Sequence, residues 1–506
     1  MKTVLEYLEN SERKNSKKTA VIDEFGKYTY KELLENSKKI GSAILEKFET
    51  KNPVPVLMEK GFTALSTFFG AAYAGCFYVL LNPDLPKVRL EHIIGVLGAK
   101  NIITDKDHFE IAKDLIQENQ ILLIENLKET EINQKKLDEI RNKALDIDPL
   151  YANFTSGSTG VPKGVLVSHH SVMDFIDVFT RTFNINENDI IANQAPFDFD
   201  VSVKDIYSSI SQGATLVIVP KKLFSLPAQL LDFLCENKVT TLVWAVSALC
   251  LITTFHALDY KTPETVNKVL FSGEVMPIKH IKQWIAHLPN ATFVNLYGPT
   301  EITCNCTYHI LDKNREYEKI PVGDTFDNEE VFLLDEENKL ITEPEKSGEI
   351  CVRGVCLALG YYNNKEQTES RFVQNPLNDK YIDLIYKTGD LGEYKNGELY
   401  FIGRKDFQIK HMGHRIELEE IERAMEKVEG VERSCCIFNE QKGKINGFFV
   451  GNIEKTEVIS YLKENLPVFM VPNTLTKIDK FPITKNGKID RKELALLVGG
   501  KKWNKK

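Results

Sequence analysis

The feature that most restricts the fold is a series of short apolar runs separated by helical stretches. The runs lie at residues 54–58, 101–104, 121–124, 190–192, 216–219, 241–244, 268–271 and 292–295. Apolar residues at helical spacing lie between several of them, as at 226–237 and 279–288. Short buried strands that alternate with helices form βαβ units and parallel sheets. The pattern therefore predicts a multidomain α/β protein with a large N-terminal domain of βαβ-type subdomains.

After residue 310 the pattern changes to short strands separated by glycine and charged turns, as at 330–334, 348–353 and 398–402. This pattern predicts a β-rich subdomain at the end of an N-terminal domain covering residues 1–402. Helical and strand patterns then alternate to about residue 500 and predict a small α+β domain at 407–500. Residues 501–506 form a basic tail.

Residues 61–81 carry no charged side chain, over a length that could cross a bilayer. Glycine, serine and threonine dilute the apolar character, and the Asn-Pro-Asp sequence at 82–84 ends it as a turn would. We expect a buried helix followed by a buried strand, and no membrane insertion.

The net charge is -8, and the sequence shows no basic face, so we do not expect nucleic acid as a partner. The N-terminus lacks the apolar core of a signal peptide, and the nine cysteines lack CxxC spacing. These features are typical of a cytoplasmic protein with reduced thiols.

Residues 155–164 (TSGSTGVPKG) combine hydroxyl groups, three glycines and one lysine. Backbone N–H groups beside glycine can approach a polyphosphate closely, and Ser, Thr and Lys donate hydrogen bonds to its oxygens. The loop differs from a Walker A loop because Pro162 precedes Lys163 and Gly164 follows it. It predicts a phosphate-binding loop of another kind; a flexible surface loop of similar composition is the alternative.

This loop resembles the phosphate loop of the adenylate-forming superfamily, which includes acyl-CoA synthetases, aryl acid ligases and amino acid adenylation enzymes. Further matches follow in that superfamily's order. They are AYAGCFYVLLNPDLP at 72–86, FDFDVSVKDIY at 197–207, FSGEVMP at 271–277, NLYGPTE at 295–301, GEICVRG at 348–354, YKTGDL at 386–391, GRKDFQIKHMGHRIELEEIE at 403–422 and NGKIDRKEL at 486–494. The resemblance covers nearly the whole chain.

The resemblance implies an ATP site with Mg²⁺. Tyr297 is expected to stack on adenine, Thr300 to contact the α-phosphate, Glu301 to bind the metal and Asp390 to accept hydrogen bonds from both ribose hydroxyls. Taken without the resemblance, 295–301 and 386–390 are tight turns with polar side chains. The complete implied ATP site comprises Thr155, Ser156, Gly157, Ser158, Thr159, Lys163, Gly273, Glu274, Asn295, Leu296, Tyr297, Gly298, Pro299, Thr300, Asp390, Ile402, Arg404 and Lys488.

Lys488 lies in an Asn-Gly turn among other charged residues, where a solvated lysine is the ordinary expectation. The resemblance instead implies a catalytic lysine that bridges the substrate carboxylate and the α-phosphate, beside Thr300 and Glu301. It also implies a hinge at 403–406, with Asp406 as the hinge residue, about which a mobile small domain exchanges Lys488 for the loop at 410–415.

By the same resemblance, Asp200 holds the α-amino group of an amino acid substrate. A buried lysine at position 204 prefers an anionic partner, which permits an acidic or unusual side chain; a lysine that extends to water is the alternative. The implied substrate pocket comprises Asp200, Val201, Lys204, Val243, Leu270, Ser272, Leu296, Cys304, Asn305 and Lys488.

Within the superfamily, Asp200 and the chain length are most similar to D-alanine:carrier protein ligases. Lys204 and Ser272 differ from that group, which has an apolar residue and a cysteine at these positions. The resemblance thus implies an amino acid ligase that loads the phosphopantetheine thiol of a carrier protein, expected on a separate chain. An acyl-CoA or aryl-CoA synthetase is the second hypothesis, and a catalytically silent nucleotide-binding regulator is the third.

Overall fold

The computed structural model describes residues 2–157, 161–439, 442–484 and 489–498. It divides into two compact units. Unit 1 consists of the chain up to Pro83, Val96–Asn153 and Gly164–Lys405. Unit 2 consists of Asp84–Gly95, Phe154–Lys163 and the chain from Asp406 onward. The described part of the phosphate loop is thus grouped with the C-terminal segment.

Strands and helices alternate through most of the described chain. The strands are β1 (Thr19–Asp23), β2 (Gly26–Thr29), β3 (Pro53–Leu57), β4 (Phe77–Leu81), β5 (Ile102–Thr104), β6 (Ile121–Leu123), β7 (Pro149–Thr155), β8 (Lys163–Ser168), β9 (Ile190–Asn193), β10 (Thr215–Ile218), β11 (Thr241–Ala245), β12 (Lys268–Ser272), β13 (Thr292–Tyr297), β14 (Thr307–Ile310), β15 (Asp324–Thr325), β16 (Glu329–Leu334), β17 (Leu340–Ile341), β18 (Ser347–Gly354), β19 (Gly360–Tyr361), β20 (Phe372–Gln374), β21 (Leu384–Lys395), β22 (Glu398–Arg404), β23 (Gln408–His411), β24 (His414–Glu417), β25 (Val431–Asn439), β26 (Lys444–Gly451) and β27 (Thr474–Lys477).

The α-helices include long helices that pack on the sheets and several single turns. They are α1 (Leu5–Asn15), α2 (Tyr30–Ile44), α3 (Phe62–Tyr73), α4 (Lys87–Leu97), α5 (Phe109–Lys113), α6 (Ile124–Leu127), α7 (Gln134–Lys143), α8 (His169–Thr182), α9 (Val201–Gln212), α10 (Pro227–Glu236), α11 (Val246–Thr254), α12 (Ala257–Tyr260), α13 (Ile278–His287), α14 (Lys365–Arg371), α15 (Leu418–Glu426), α16 (Lys455–Asn465) and α17 (Arg491–Val498).

Unit 1 contains three sheets. A nine-stranded sheet has the order β15-β14-β13-β12-β11-β9-β10-β1-β2, and its strands from β13 to β1 pair in parallel. A seven-stranded sheet has the order β19-β8-β7-β4-β3-β5-β6. A six-stranded antiparallel sheet, β16 to β18 with β20 to β22, forms the β-rich part. The predicted multidomain α/β class is confirmed.

The uncharged segment at 61–81 forms α3 and β4, as expected. Every residue of β3 and β4 is buried, because a central parallel strand is covered on both faces. Helix α2 begins at a capping box, in which Thr29 Oγ1 accepts from the Glu32 backbone N–H and Glu32 accepts from the Thr29 backbone N–H. No helix within the described residues has the length and apolarity that a membrane crossing requires.

The nine-stranded sheet separates two hydrophobic clusters. Successive side chains of a strand point to opposite faces, so Val243 and Leu270 join one cluster while Leu242 and Val269 join the other. The first cluster also contains Val203, Ile206 and Ile210 of α9, and thus α9 covers the face of the sheet on which Val243 and Leu270 lie.

Unit 2 contains the hairpin β23–β24 and the sheet β25-β26-β27. Helices α15 and α16 pack on it through a cluster that includes Ile421, Met425 and Leu462. Arg491 makes two hydrogen bonds to the Glu422 carboxylate, at 2.8 and 2.9 Å, and these fix the start of α17.

Candidate active site

The carboxyl ends of β11, β12 and β13 meet at one edge of the nine-stranded sheet. Val243 pairs in register with Leu270, and Leu270 with Val294. The strands end at Ala245, Ser272 and Tyr297. This edge is where α/β proteins bind ligands, because polar loop residues follow buried strands there. The predicted residues Gly273, Glu274, Gly298, Pro299 and Thr300 follow β12 and β13 directly.

Tyr297, Asp390 and Arg404 form a buried hydrogen-bonded group in unit 1. Tyr297 Oη donates to Asp390 Oδ2 at 2.6 Å, and Arg404 Nη1 donates to Asp390 Oδ1. Burial and the neighbouring Asp390 carboxylate raise the pKa of the Tyr297 hydroxyl. Thr388 Oγ1 accepts from the Asp390 backbone N–H at 2.9 Å and fixes that turn. Three predicted ATP-site residues are thus brought together, and Ile402 lies two residues before Arg404 on β22.

Glu301 is fully buried in the turn after β13, although turn glutamates are ordinarily solvated. Tyr361 Oη donates to Glu301 Oε1 at 2.7 Å. The backbone N–H of Ala358 donates to the Glu301 carbonyl at 2.9 Å. The segment that contains β19 therefore fixes both the side chain and the backbone of Glu301.

Gly298 is required at this turn by close backbone approach. A Cβ at this position would lie 2.5 Å from Asn305 Cα and 2.9 Å from the Cys304 carbonyl oxygen. Asn295, three residues earlier, donates from Nδ2 to the Pro321 carbonyl at 2.8 Å and so anchors β13.

The predicted pocket residues are collected between α9 and the sheet. Val243, Leu270 and Leu296 belong to the hydrophobic cluster under α9, and Val201 and Cys304 are buried beside them. Cys304 Sγ donates to the Asp200 carbonyl at 3.1 Å, which ties the turn after β13 to the start of α9. The Asp200 carboxylate makes no hydrogen bond to the helix N-terminus, so capping does not explain this residue.

Lys204 is 0% exposed, which excludes the alternative that its side chain extends to water. Its Nζ donates to Asn305 Oδ1 at 2.5 Å and to Ser272 Oγ at 3.4 Å. Three polar residues predicted for the pocket therefore form one contiguous buried group.

A second buried group adjoins the first and was not predicted from the sequence. Lys60 Nζ donates to Asn193 Oδ1 at 3.0 Å and to the Gln194 carbonyl at 3.0 Å. Asn193 Nδ2 donates to Asp205 Oδ2 at 2.8 Å. Burial lowers the pKa of Lys60 to about 7 and raises that of Asp205 to about 8. A pair of charged residues shortly after an apolar strand, as Glu59 and Lys60 are after β3, was the available signal.

Unit 2 contains the phosphate loop, of which Ser158 and Thr159 lie outside the described residues. Ser156 Oγ donates to the Arg415 carbonyl at 2.8 Å. The Gly157 backbone N–H is hydrogen-bonded to Glu420, whose pKa burial raises. Thr155 Oγ1 is buried without a hydrogen-bond partner in the described chain, and Lys163 is buried.

The predicted loop at 410–415 lies in unit 2, as does Asp406 of the predicted hinge. The other hinge residues, 403–405, lie in unit 1. Asp406 Oδ1 accepts from the Gln408 backbone N–H at 3.3 Å, a turn contact. Residues 410–415 form the tip of the hairpin β23–β24, with Met412 and Gly413 at positive φ. The predicted catalytic residue Lys488 lies outside the described residues.

Within the described ranges, no group of three or more His, Cys, Asp or Glu side chains could hold a metal ion. In nucleotide sites Mg²⁺ commonly takes one or two carboxylates together with substrate phosphates and water. The buried Glu301 carboxylate is the side chain suited to such a role.

The sequence profile of "AMP-binding enzyme" matches residues 8–362. The chain is 33% identical to zwittermicin A synthase ZmaJ from Bacillus cereus, over 95% of this chain and 92% of that protein. It is 30% identical to bacitracin synthase 1 from Bacillus licheniformis over 97% of this chain, but spans only 9% of that relative's length.

Solved structures of adenylation domains share the fold. The Vibrio cholerae adenylation domain AlmE in complex with glycyl-adenosine-5'-phosphate superposes with a TM-score of 0.85 at 22% identity, over 98% of each chain. PA1221, an NRPS protein containing adenylation and PCP domains, gives a TM-score of 0.81 at 22% identity, over 99% of this chain and 98% of that one.

Parallel strands that end at one edge, where polar loop residues follow them, define an α/β protein of the class that binds ligands at this edge. The profile match and the full-length relative place it more closely: the chain belongs to the AMP-binding enzyme family.

Proposed function

We propose that this chain activates an amino acid with ATP, forming an aminoacyl-adenylate and pyrophosphate, and then transfers the aminoacyl group to the phosphopantetheine thiol of a carrier protein. The observation that supports an amino acid as the substrate concerns Asp200. Its carboxylate makes no capping hydrogen bond, and it lies at the start of α9, the helix that packs on the cluster containing Val243, Leu270 and Leu296. An α-ammonium group is the partner that such a half-buried carboxylate favours.

In the first half-reaction, a carboxylate oxygen of the amino acid attacks the α-phosphorus, and pyrophosphate leaves. Tyr297 and Asp390 would bind the nucleoside, and Thr300 the α-phosphate. Glu301 would hold Mg²⁺, which neutralises phosphate charge when bound. Lys488 would offset the repulsion between the two anions, a preorganised contact whose loss lowers the rate by about a hundredfold or more.

In the second half-reaction, the carrier thiolate attacks the acyl carbon and AMP leaves. We assign this step to the loop at 410–415, with Asp406 as the hinge. PA1221, named as containing adenylation and PCP domains, supports a carrier protein as the acceptor. We place the reaction in the cytoplasm, because none of the nine cysteines forms a disulfide and seven of them are buried.

D-alanine, the substrate of the ligases that the sequence resembles, remains one candidate amino acid. ATP–pyrophosphate exchange with amino acids, fatty acids and aryl acids supplied separately tests the substrate class. We expect exchange with an amino acid only. Exchange with a fatty or aryl acid would instead support the acyl-CoA or aryl-CoA synthetase hypothesis, and exchange with no acid would support a silent nucleotide-binding regulator.

The role of Asp200 is tested by Asp200→Asn, which keeps the size of the side chain but removes the charge. We expect kcat/KM for the amino acid to fall by about a hundredfold, mainly through KM, because a charged hydrogen bond contributes about 1.5–3 kcal/mol. Asp379→Asn, at a position 83% exposed, is the matched control and should leave exchange unchanged.

Lys488→Ala separates the two half-reactions. We expect strong loss of adenylate formation but near-normal thioester formation from chemically prepared adenylate. Equal loss in both assays would contradict the assignment of the second step to the loop at 410–415.

A further inference from the structure

The polar end of the substrate pocket consists of Lys204, Asn305 and Ser272. We propose that the amino acid activated by this chain carries a carboxylate on its side chain, and that Lys204 and Asn305 bind that carboxylate. The inference rests on the proposed amino acid adenylation and names the substrate class of the same site.

The orientation of the Asn305 amide follows from hydrogen-bond chemistry. A lysine ammonium group has only donors, so the amide atom 2.5 Å from Lys204 Nζ is the oxygen. The Asn305 amide nitrogen is therefore turned away from Lys204, and its two hydrogens make no hydrogen bond to the described part of the chain. A carboxylate has two oxygens, one for the ammonium group and one for this amide.

The turn that carries Asn305 is held in a strained conformation. Thr303 and Cys304 are consecutive non-glycine residues with φ of 53° and 81°, in the left-handed region. Thr303 Oγ1 donates to the Cys356 carbonyl at 2.7 Å, and Cys304 Sγ to the Asp200 carbonyl at 3.1 Å. Such strain persists where surrounding contacts fix it, commonly at ligand sites. The Asn305 side chain is thus positioned before substrate binds.

Lys204 brings an ammonium group to the polar end of the pocket. Asp205 lies in the electrostatic field of both Lys204 and Lys60, and it also accepts a hydrogen bond from Asn193 Nδ2 at 2.8 Å. Burial raises the pKa of Asp205, so the charged form of this carboxyl group is disfavoured. A buried ammonium group at this position favours an anionic side chain over an amide of the same shape.

The spacing on α9 suits an acidic amino acid. Asp200 and Lys204 are one helical turn apart, about 6 Å along the axis. With the α-ammonium group at Asp200, a side chain of one or two methylene groups spans a distance of this order to Lys204. The proposal therefore commits to aspartate-sized or glutamate-sized substrates.

The test is ATP–pyrophosphate exchange by the wild-type protein with aspartate, glutamate, asparagine, glutamine, alanine and leucine, followed by fatty and aryl acids. We expect kcat/KM for one acidic amino acid to exceed that for its own amide by about a hundredfold or more, because a site built for one hydrogen-bonding group rejects its analogue strongly. Lys204→Met, which is similar in length but neutral, should reduce this ratio to about tenfold or less, because the charged contact that distinguishes the acid from its amide is lost. Lys222→Met, at a position 70% exposed, should leave the ratio unchanged.

A neutral amino acid as the best substrate, or an unchanged ratio in Lys204→Met, would overturn this inference and leave the amino acid adenylation standing. Exchange only with fatty or aryl acids, or with no acid, would overturn the adenylation proposal as well. The wild-type panel decides between these outcomes even if Lys204→Met does not fold.

Discussion

Replacing Asp390 by asparagine removes one charge from a buried group without changing the shape of the side chain. Asp390 is buried, and its two oxygens accept from Tyr297 and Arg404. An asparagine places an NH2 group where one of these two oxygens lies, so one of the two donors loses its carboxylate acceptor. The lost charged hydrogen bond contributes about 1.5–3 kcal/mol, and the weaker attraction between a neutral amide and the Arg404 guanidinium adds to it. We expect the free energy of unfolding to fall by about 2–4 kcal/mol.

The assay is urea unfolding followed by tryptophan fluorescence, since Trp244 and Trp284 are both buried in one hydrophobic cluster of unit 1. The denaturant dependence should not change, because the surface exposed on unfolding is the same. The matched control is Asp327→Asn, which breaks the pair with Arg181 at positions 73% and 64% exposed. Exposed pairs contribute about 0–1 kcal/mol. Equal losses in the two variants would refute the reasoning that burial of the Asp390 group determines its contribution.

Three further predictions concern the same unit. Tyr361→Phe removes the hydrogen bond to Glu301, so half-maximal exchange should require about tenfold more Mg²⁺, and an unchanged Mg²⁺ titration would contradict it. Burial lowers the pKa of His169 to about 3, so between about pH 6.5 and 3 the unfolded chain binds a proton that the folded chain does not. The free energy of unfolding should therefore fall by about 1.4 kcal/mol for each unit of decreasing pH in that window. His169→Asn should remove this pH dependence from the urea midpoint of unfolding. Gly298→Ala places a Cβ 2.5 Å from a backbone Cα and should lower exchange at least tenfold, whereas Gly95→Ala, with no atom within 4 Å, should not.

The alternation of apolar runs and helices was sufficient to predict the sheets, because buried parallel strands must be apolar on both faces. The eight predicted runs coincide within two residues with β3, β5, β6, β9, β10, β11, β12 and β13. The predicted uncharged segment likewise forms α3 and β4. These predictions depend on local patterns, which a sequence states directly.

Contacts between distant residues were not predictable in this way. Tyr361 is 60 residues from Glu301, and Lys60 is 133 residues from Asn193, so no local periodicity relates them. The sequence also did not decide whether Lys204 is buried, since a lysine on a helix can extend to water or point inward. Its burial depends on how α9 packs on the sheet.

The fate of a carboxylate oxygen tests the central claim most directly. An amino acid labelled with ¹⁸O in its α-carboxylate is incubated with the protein, ATP and a phosphopantetheinylated carrier protein or a small thiol, and the AMP is analysed by mass spectrometry. Attack of the carboxylate on the α-phosphorus, followed by thiol attack on the acyl carbon, leaves one labelled oxygen in each AMP. Unlabelled AMP, or ADP and phosphate as products, would contradict adenylation.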